Sequence, residues 1–144
     1  MANAQFVGTW QLISSEFRRS DGTVIYPYGQ DAIGNLYYDA AGNMAVQLLR
    51  ADRPLFTSGD RQQGTPEEIK AAFEGSLAYF GRYEVNEQEQ IVIHHIIGCT
   101  FPNWIGQPQK RFFAFMDNQL TLSTPPLCVG GSTLMGVLRW QRIG

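Results

Sequence analysis

Short apolar or alternating runs recur along the chain, and each of them is followed by a turn signal. The runs cover residues 6–17, 24–28, 34–38, 43–49, 79–85, 91–98, 111–116, 120–123 and 134–142. Segments rich in Gly, Asn and Asp separate several of them, for example 20–22, 39–42 and 117–118. Short strands at regular spacing, bounded by such turns, are typical of all-β domains. The pattern therefore predicts an antiparallel β structure.

One segment departs from this rhythm and predicts a helix. Thr65 precedes Pro66, and Glu68 stands three residues after Thr65, an order that matches a capping box with proline at the first helical position. Apolar residues then recur at helical spacing, namely Ile69, Ala72, Phe73, Leu77 and Phe80. Gly75 weakens the middle of this helix by roughly 1 kcal/mol. We expect about three amphipathic turns that end near Gly81 and pack on a barrel mouth or wall.

Several predicted strands are almost continuously apolar, as in residues 91–93 and 112–115. An open sandwich could hold such strands, but a closed barrel with a helix against it buries parts of both strand faces and leaves no free edge. A chain of 144 residues is long enough for one such core. We therefore predict a single domain over residues 1–144, all-β with one helix, closed into an antiparallel barrel with an internal cavity.

Composition narrows the classes of function. Charged residues make up 17% of the chain and the formal net charge is −2. The basic pairs at 18–19 and 110–111 are too short to track phosphates, so nucleic acid is not an expected partner. No apolar run approaches the ~20 residues of a membrane-spanning helix. Residues 1–5 lack a basic region followed by an apolar stretch, which favours a cytoplasmic location.

The chain contains two cysteines, Cys99 and Cys128, which are too few for a disulfide framework and lack metal-ligand spacing. Both lie near predicted strand ends, so a single bridge between them is one alternative. Two reduced, semi-buried thiols are the other alternative, which the absence of a visible secretion signal favours.

Residues at the two ends of the chain carry a resemblance to a known family. Gly8 and Trp10 form a Gly-x-Trp on the first predicted strand, and the last strand carries Arg139 and Arg142. This resembles the calycin signature, in which the Trp plugs one end of the barrel and an Arg from the final strand packs over its ring. A guanidinium can stack on an indole and still donate to backbone carbonyls. Arg142 shares its strand parity with Trp140, and we favour it over Arg139.

Further stretches are similar to the lipocalin-like domain family of bacteria and fungi. They are residues 34–39, 42–44, 79–85, 94–95, 101–106 with Gln109 and Arg111, and 120–126. Together they cover nearly the whole chain in order. The resemblance implies a barrel of eight to ten strands with an internal cavity. It implies little about activity, since some members lie in natural-product gene clusters where related barrels act as cyclases or isomerases, and fold does not fix function.

His94 and His95 are neighbours on a predicted strand, so they point to opposite faces and only one can face the interior. Apolar residues flank both, and the pattern does not decide between them. An interior His could act as a general base or donate to a ligand, or it could be a packed, hydrogen-bonded core residue. With no third His, and with tandem His unable to converge on one ion, no metal is expected. No motif indicates a nucleotide, haem or other cofactor.

Five other residues are candidate ligand contacts. Arg111 begins an aromatic-rich strand and, if it faces inward, would grip a carboxylate or polarise a carbonyl; the alternative is an Arg on the rim. Tyr38 or Tyr83 could offer a hydroxyl and Gln47 an amide, although they could equally be core residues with satisfied polar tips. Trp104 lies in a loop bounded by Pro and Gly, as a lid over the mouth or a plug at the base or wall, and we favour the latter.

The favoured function is binding of a small apolar or aromatic molecule in the barrel, with polar contacts from His94, Arg111 and a tyrosine. The alternative is a cofactor-independent enzyme of the cyclase, isomerase or dehydratase type. In that enzyme His94 or Tyr83 would move a proton of a natural-product-like metabolite. A barrel with a filled core and no ligand is a third alternative. The sequence leaves open whether the protein catalyses a reaction, and whether it is a monomer or a homodimer.

Overall fold

The computed structural model describes residues 4–144; residues 2 and 3, on which the expectation about a secretion signal partly depends, lie outside this part, as does residue 1. An α-helix (α1, Pro66–Glu74) and a short 3₁₀ helix (Pro102–Trp104) interrupt a series of strands. The strands are β1 (Gly8–Arg19), β2 (Val24–Ile25), β3 (Ile33–Tyr38), β4 (Asn43–Leu49), β5 (Ser76–Asn86), β6 (Ile91–Cys99), β7 (Pro108–Met116), β8 (Gln119–Ser123), β9 (Leu127–Val129) and β10 (Ser132–Arg142). The prediction of an all-β fold with one helix is confirmed.

The strands close into a barrel. Around the ring the order is β1, β3, β4, β5, β6, β7, β8 and β10, and β10 pairs with β1. Each of these pairings is antiparallel. Within residues 4–144, the two remaining strands lie outside the ring, where β2 pairs with β1 and β9 with β10. The predicted closure is therefore confirmed, with eight strands in the ring.

Alternation along each strand separates the interior from solvent. On β4, for example, Met44, Val46 and Leu48 are buried, whereas Gln47 between them is exposed. The buried apolar side chains form one core cluster inside the ring. Its members are Phe6, Trp10, Leu12, Leu36, Tyr38, Met44, Val46, Leu48, Tyr79, Tyr83, Val92, Ile96, Phe113, Leu120, Leu122, Leu138 and Trp140.

One end of the barrel, at which β1 begins, is sealed by aromatic packing, and we call it the Trp10 end. The Phe6 ring lies 4.9 Å from the rings of Phe113 and Phe115, between centroids. Its carbonyl accepts a 3.0 Å hydrogen bond from Trp10 Nε1. The Arg142 guanidinium lies 4.3 Å from the centre of the Trp10 ring.

Arg142 also forms hydrogen bonds with the backbone of the segment that precedes β1. Its Nη1 donates to the carbonyl of Val7 at 2.7 Å, and its Nη2 donates to the carbonyl of Gln5 at 2.6 Å. Arg139 instead lies near Glu16 and Ser14, with its Nη1 3.3 Å from the Glu16 carboxylate. Arg142, and not Arg139, therefore covers Trp10.

Helix α1 begins where the sequence predicts it. Glu68 N donates to Thr65 Oγ1 at 3.1 Å, and Thr65 N donates to Glu68 Oε1 at 2.8 Å, which completes the capping box. The predicted end near Gly81 is wrong, because the helix stops at Glu74 with Gly75 as its cap. The residues that follow pair with β4 as strand β5. Since α1 connects β4 to β5, it lies at the end opposite Trp10, which we call the α1 end.

The apolar stripe of α1 is not buried. Ile69 remains 50% exposed and Phe73 49% exposed, so the helix covers only about half of each of these side chains. Two residues that the helical spacing assigns to the stripe, Leu77 and Phe80, belong to β5 instead. Within residues 4–144, no helix combines the length and apolar character required to cross a membrane. Cys99 is half-buried and Cys128 is exposed, and both are free thiols.

Replacing Arg142 with methionine tests the seal at the Trp10 end. The variant keeps an apolar stem but loses the cation–π contact and the hydrogen bonds to the carbonyls of Val7 and Gln5. We expect the free energy of unfolding to fall by about 2 kcal/mol, as measured by equilibrium urea denaturation. Arg139→Met is the control, with an expected loss below about 0.5 kcal/mol. Equal losses in the two variants would contradict the seal.

Candidate functional site

A hydrogen-bonded chain of three side chains lies inside the barrel. The hydroxyl of Tyr38 on β3 is 2.6 Å from His94 Nε2, and the hydroxyl of Tyr79 on β5 is 2.7 Å from His94 Nδ1. His94, on β6, is only 1% exposed. Both ring nitrogens therefore have a tyrosine partner, and we call these residues the Tyr38–His94–Tyr79 chain.

The register of β6 decides which histidine faces inward. His94 shares its face with the buried residues Val92 and Ile96. His95 lies on the outer face, where its Nε2 is 2.8 Å from a carboxylate oxygen of the exposed Glu84. His94 is thus the interior residue of the pair.

Burial makes the chain electrically neutral. Burial, together with the nearby charges of Arg111 and His95, lowers the pKa of His94 from an ordinary value of 6.5 to about 3. Burial also raises the pKa of Tyr38 and of Tyr79. Each effect has the same cause, since a medium of low polarity disfavours the charged form of any group. Near neutral pH the imidazole and both phenols are uncharged.

Because all three side chains are neutral, the number of hydrogen-bond donors in the chain is fixed. A neutral imidazole has one N–H donor and one acceptor nitrogen. One tyrosine must therefore donate to the ring of His94, while the other accepts from it. The hydroxyl of the accepting tyrosine keeps its own proton for another acceptor. The chain thus has one O–H donor available for a further polar group, at the Tyr38 end or at the Tyr79 end.

Arg111 places a positive charge beside this chain. It lies on the inner face of β7, is 7% exposed, and donates from Nη1 to the backbone carbonyl of Lys110 at 2.9 Å. Its charge opposes the effect of burial on the pKa of Tyr38 and of Tyr79. The guanidinium carbon is 5.8 Å from the centre of the Trp104 ring. Among residues 4–144, no ion pair includes Arg111.

Trp104 lies at the α1 end of the barrel. Strand β6 runs in the same direction as β1, so the 3₁₀ helix that follows it is at the end opposite Trp10. The Trp104 ring is half-buried and contacts Tyr79, with 6.1 Å between ring centres. Trp104 therefore does not plug the base at the Trp10 end. It packs against the core cluster at the α1 end, beside Tyr79 of the Tyr38–His94–Tyr79 chain.

The structure does not bring two other predicted residues to this chain. Gln47 is exposed on the outer face of β4, which corrects the expectation that its amide reaches an interior ligand. Tyr83 is buried, but its hydroxyl donates to the carbonyl of Asp39 at 2.8 Å. Because that hydroxyl is bonded to the backbone, Tyr83 is separate from the polar chain. Its ring packs against the Tyr38 ring, with 4.6 Å between ring centres.

Sequence reasoning missed three residues of the interior. Tyr79 bonds His94 directly, and its even spacing from Tyr83 on one strand was the signal that could have found it. Ser15 on β1 and Trp140 on β10 are buried, and Ser15 Oγ and Trp140 Nε1 have no hydrogen-bond partner within residues 4–144. No pattern in the sequence distinguishes these two from ordinary core residues.

A depression in the surface shares one residue with this cluster. It has a volume of about 430 Å³, is lined by residues 7–9, 37–40 and 43–45, and opens at the Trp10 end. Tyr38 is part of its lining, whereas His94, Tyr79 and Arg111 are not. In the described part of the chain, no three His, Cys, Asp or Glu side chains converge as a metal site would require.

Comparison with known proteins places this architecture in a family. The model of the lipocalin-like domain matches residues 7–143. The 4'-hydroxy-3'-methoxypropiophenone carrier protein ppsC of Aspergillus oryzae is 32% identical over 107 residues, which cover 69% of this chain and 96% of the Aspergillus protein. No solved structure gives a significant match. Because the family match spans nearly the whole barrel, this chain belongs to the lipocalin-like domain family.

Proposed function

We propose that the protein binds a small aromatic molecule inside the barrel, with a polar group of the ligand hydrogen-bonded to the Tyr38–His94–Tyr79 chain. The observation that carries this proposal is the buried, hydrogen-bonded chain beside Arg111 in a largely apolar interior. Apolar walls with a few convergent polar groups are the usual composition of a small-molecule site. An eight-stranded barrel has room for about one such ligand.

The aromatic character of the interior supports an aromatic ligand. The two tyrosines of the polar chain contact further rings: Tyr83 lies 4.6 Å from Tyr38, and Trp104 lies 6.1 Å from Tyr79, between ring centres. Aromatic rings favour edge or offset contacts with other rings at such distances. A flat ligand ring would extend this set of contacts, while its oxygen substituents reach the polar groups.

The name of the Aspergillus relative supports the same class of ligand. That protein is named a carrier of 4'-hydroxy-3'-methoxypropiophenone, an aryl ketone with a phenol, an ether and a carbonyl. These groups match the polar atoms available here, since a carbonyl can accept from a tyrosine hydroxyl and from Arg111. The matched segment covers most of both chains, so we take an aryl ketone as the first probe of this barrel.

The electrostatics of the site favour binding over proton transfer. A general acid or base works best when its pKa lies near the working pH. The pKa of His94 is lowered to about 3, and the pKa of Tyr38 is raised well above its usual 10. Neither group readily gains or loses a proton near neutral pH, but both hydrogen-bond well in their neutral forms. The site is therefore better suited to hold a ligand than to act as an acid–base catalyst.

Tyr79→Phe tests the proposal by removing one hydroxyl from the chain and keeping the ring. We expect it to weaken binding of 4'-hydroxy-3'-methoxypropiophenone by about tenfold, because the loss of one buried hydrogen bond amounts to roughly 1.4 kcal/mol. Isothermal titration calorimetry measures the affinity, and intrinsic tryptophan fluorescence, to which Trp104 beside Tyr79 contributes, gives an independent titration.

The matched control is Gln47→Ala, which alters the outer face of the same barrel and should leave the affinity unchanged. If the ligand bound equally well to wild type and to both variants, it would lie outside the polar chain. If the ketone did not bind to wild type, the proposed ligand class would be wrong. Recovery of a chemically altered ketone after incubation would instead support the alternative of an enzyme.

A second prediction concerns the neutral state of His94. Because its pKa is about 3 in the folded protein and near 6.5 when exposed, the unfolded chain binds a proton first as the pH falls. Stability due to neutral His94 is therefore complete above about pH 6.5 and declines below it, by roughly 1.4 kcal/mol per pH unit, until the folded-state pKa is reached. Urea denaturation at several values between about pH 7 and pH 4 measures this slope.

His94→Gln should flatten that pH dependence, since an amide does not titrate in this range. The control is His95→Gln on the same strand, whose side chain is exposed; it should retain the slope of the wild-type protein. Other acidic groups contribute equally to all three proteins, so the comparison isolates His94. A wild-type slope in His94→Gln would show that the buried imidazole is not held neutral.

A further inference from the structure

Arg111 carries a buried positive charge, and no ion pair in the described part of the chain neutralises it. A guanidinium stays protonated at every accessible pH, and this one is 7% exposed. Its hydrogen bond to the Lys110 carbonyl satisfies one of its donors but does not neutralise it. Burial of a charge without a partner is unfavourable, so buried guanidinium groups usually have a carboxylate or phosphate beside them.

Within residues 4–144, no carboxylate forms an ion pair with Arg111. The side chains whose titration its charge affects are Tyr38, Tyr79 and His94, and all three are neutral near pH 7. The carboxylates that form ion pairs within residues 4–144 belong to Glu16, Asp52 and Glu84, and their partners are Arg18, Arg50, His95 and Arg139. The interior therefore has an uncompensated positive charge.

The opposite wall of the barrel also has unused donors. Ser15 Oγ and Trp140 Nε1 are buried and have no hydrogen-bond partner among residues 4–144. They lie on β1 and β10, which stand across the ring from β5 and β6, where Tyr79 and His94 lie. A buried polar atom that is left unpaired is costly. A ligand that spans the ring and bears a hydrogen-bond acceptor at its far side would satisfy them.

We propose that the ligand is an aromatic oxyanion, whose negative oxygen is the missing counter-ion of Arg111 and whose second oxygen substituent reaches Ser15 and Trp140. This inference rests on the proposed function and specifies the chemical class of its ligand. The same oxyanion also accepts the available O–H of the Tyr38–His94–Tyr79 chain. A guanidinium and a phenol O–H can converge on one anionic oxygen, because both are donors. A carboxylate and a phenolate meet this requirement equally.

Two matched pairs of ligands test the charge requirement. The first pair is 4'-hydroxy-3'-methoxypropiophenone and its methyl ether, compared above the pKa of the phenol, so that only the first is an anion. The second pair is dimethoxybenzoate and its methyl ester, compared near neutral pH. Isothermal titration calorimetry measures all four affinities for wild type. We expect the anionic member of at least one pair to bind about tenfold or more tightly than its neutral partner. The pair that shows this preference identifies the phenolate or the carboxylate as the ligand group.

Three variants connect the preference to Arg111. Arg111→Met should abolish it, so that anionic and neutral members bind alike, whereas Arg111→Lys keeps the charge and should retain part of it. Arg139→Met removes an outer guanidinium and should retain it fully. Near-ultraviolet circular dichroism confirms that each variant is folded. If Arg111→Met does not fold, the wild-type comparison and the lysine variant still decide.

The outcomes separate this inference from the proposed function. If neutral and anionic members bind wild type equally well, the oxyanion requirement is overturned while aromatic binding stands. If an anionic preference survives in Arg111→Met, the charge is recognised elsewhere, and the assignment to Arg111 is overturned. If none of the four compounds binds wild type, the proposed function fails and the inference fails with it.

Discussion

The pairing of the first long strand with the last strand is the constraint on which the rest of the structure depends. The β1–β10 ladder joins residues 10–19 to residues 134–142, almost the full length of both strands. Once it forms, every strand of the ring has two neighbours, and every second side chain is enclosed. On an open sheet, His94 and Arg111 would face water, which would screen their interaction and return the pKa of His94 towards its ordinary value.

Closure of the barrel could be predicted from the sequence because the patterns that indicate it are local. Strand spacing, turn residues and the positions of Gly8, Trp10 and Arg142 are all visible without knowing which strands pair. The end of α1 was not predictable in the same way. Leu77 and Phe80 fit a helical stripe and also fit a strand, and the choice was made by pairing with β4, in which Leu77 lies opposite Leu48. Tertiary pairing thus overrode a local helical pattern.

The candidate site was only partly predictable, for related reasons. Both faces of β6 are apolar in sequence, so alternation could not choose between His94 and His95; the register with β5, which sets Tyr83 opposite His94, decides it. Gln47 could have been excluded as an interior residue, because both of its neighbours on the strand are apolar and adjacent strand residues face opposite sides of the sheet. Tyr79 was overlooked because it falls where the helical and strand patterns overlap. Which hydroxyls reach His94 depends on distances across the ring, and no sequence pattern contains these.

Burial acts differently on the groups that the ring encloses, and this difference gives the site its character. His94, Tyr38 and Tyr79 respond to low polarity by remaining neutral, whereas Arg111 has no neutral form to adopt. Burial of its charge therefore lowers the stability of the ligand-free barrel. A ligand that binds only the folded state can offset this loss of stability. The four side chains project from strands β3, β5, β6 and β7 of the closed ring, so little further ordering is needed on binding. In the proposed role, closure of the barrel makes the buried charge of Arg111 unfavourable without a ligand, and it thereby makes the site selective for an anionic ligand.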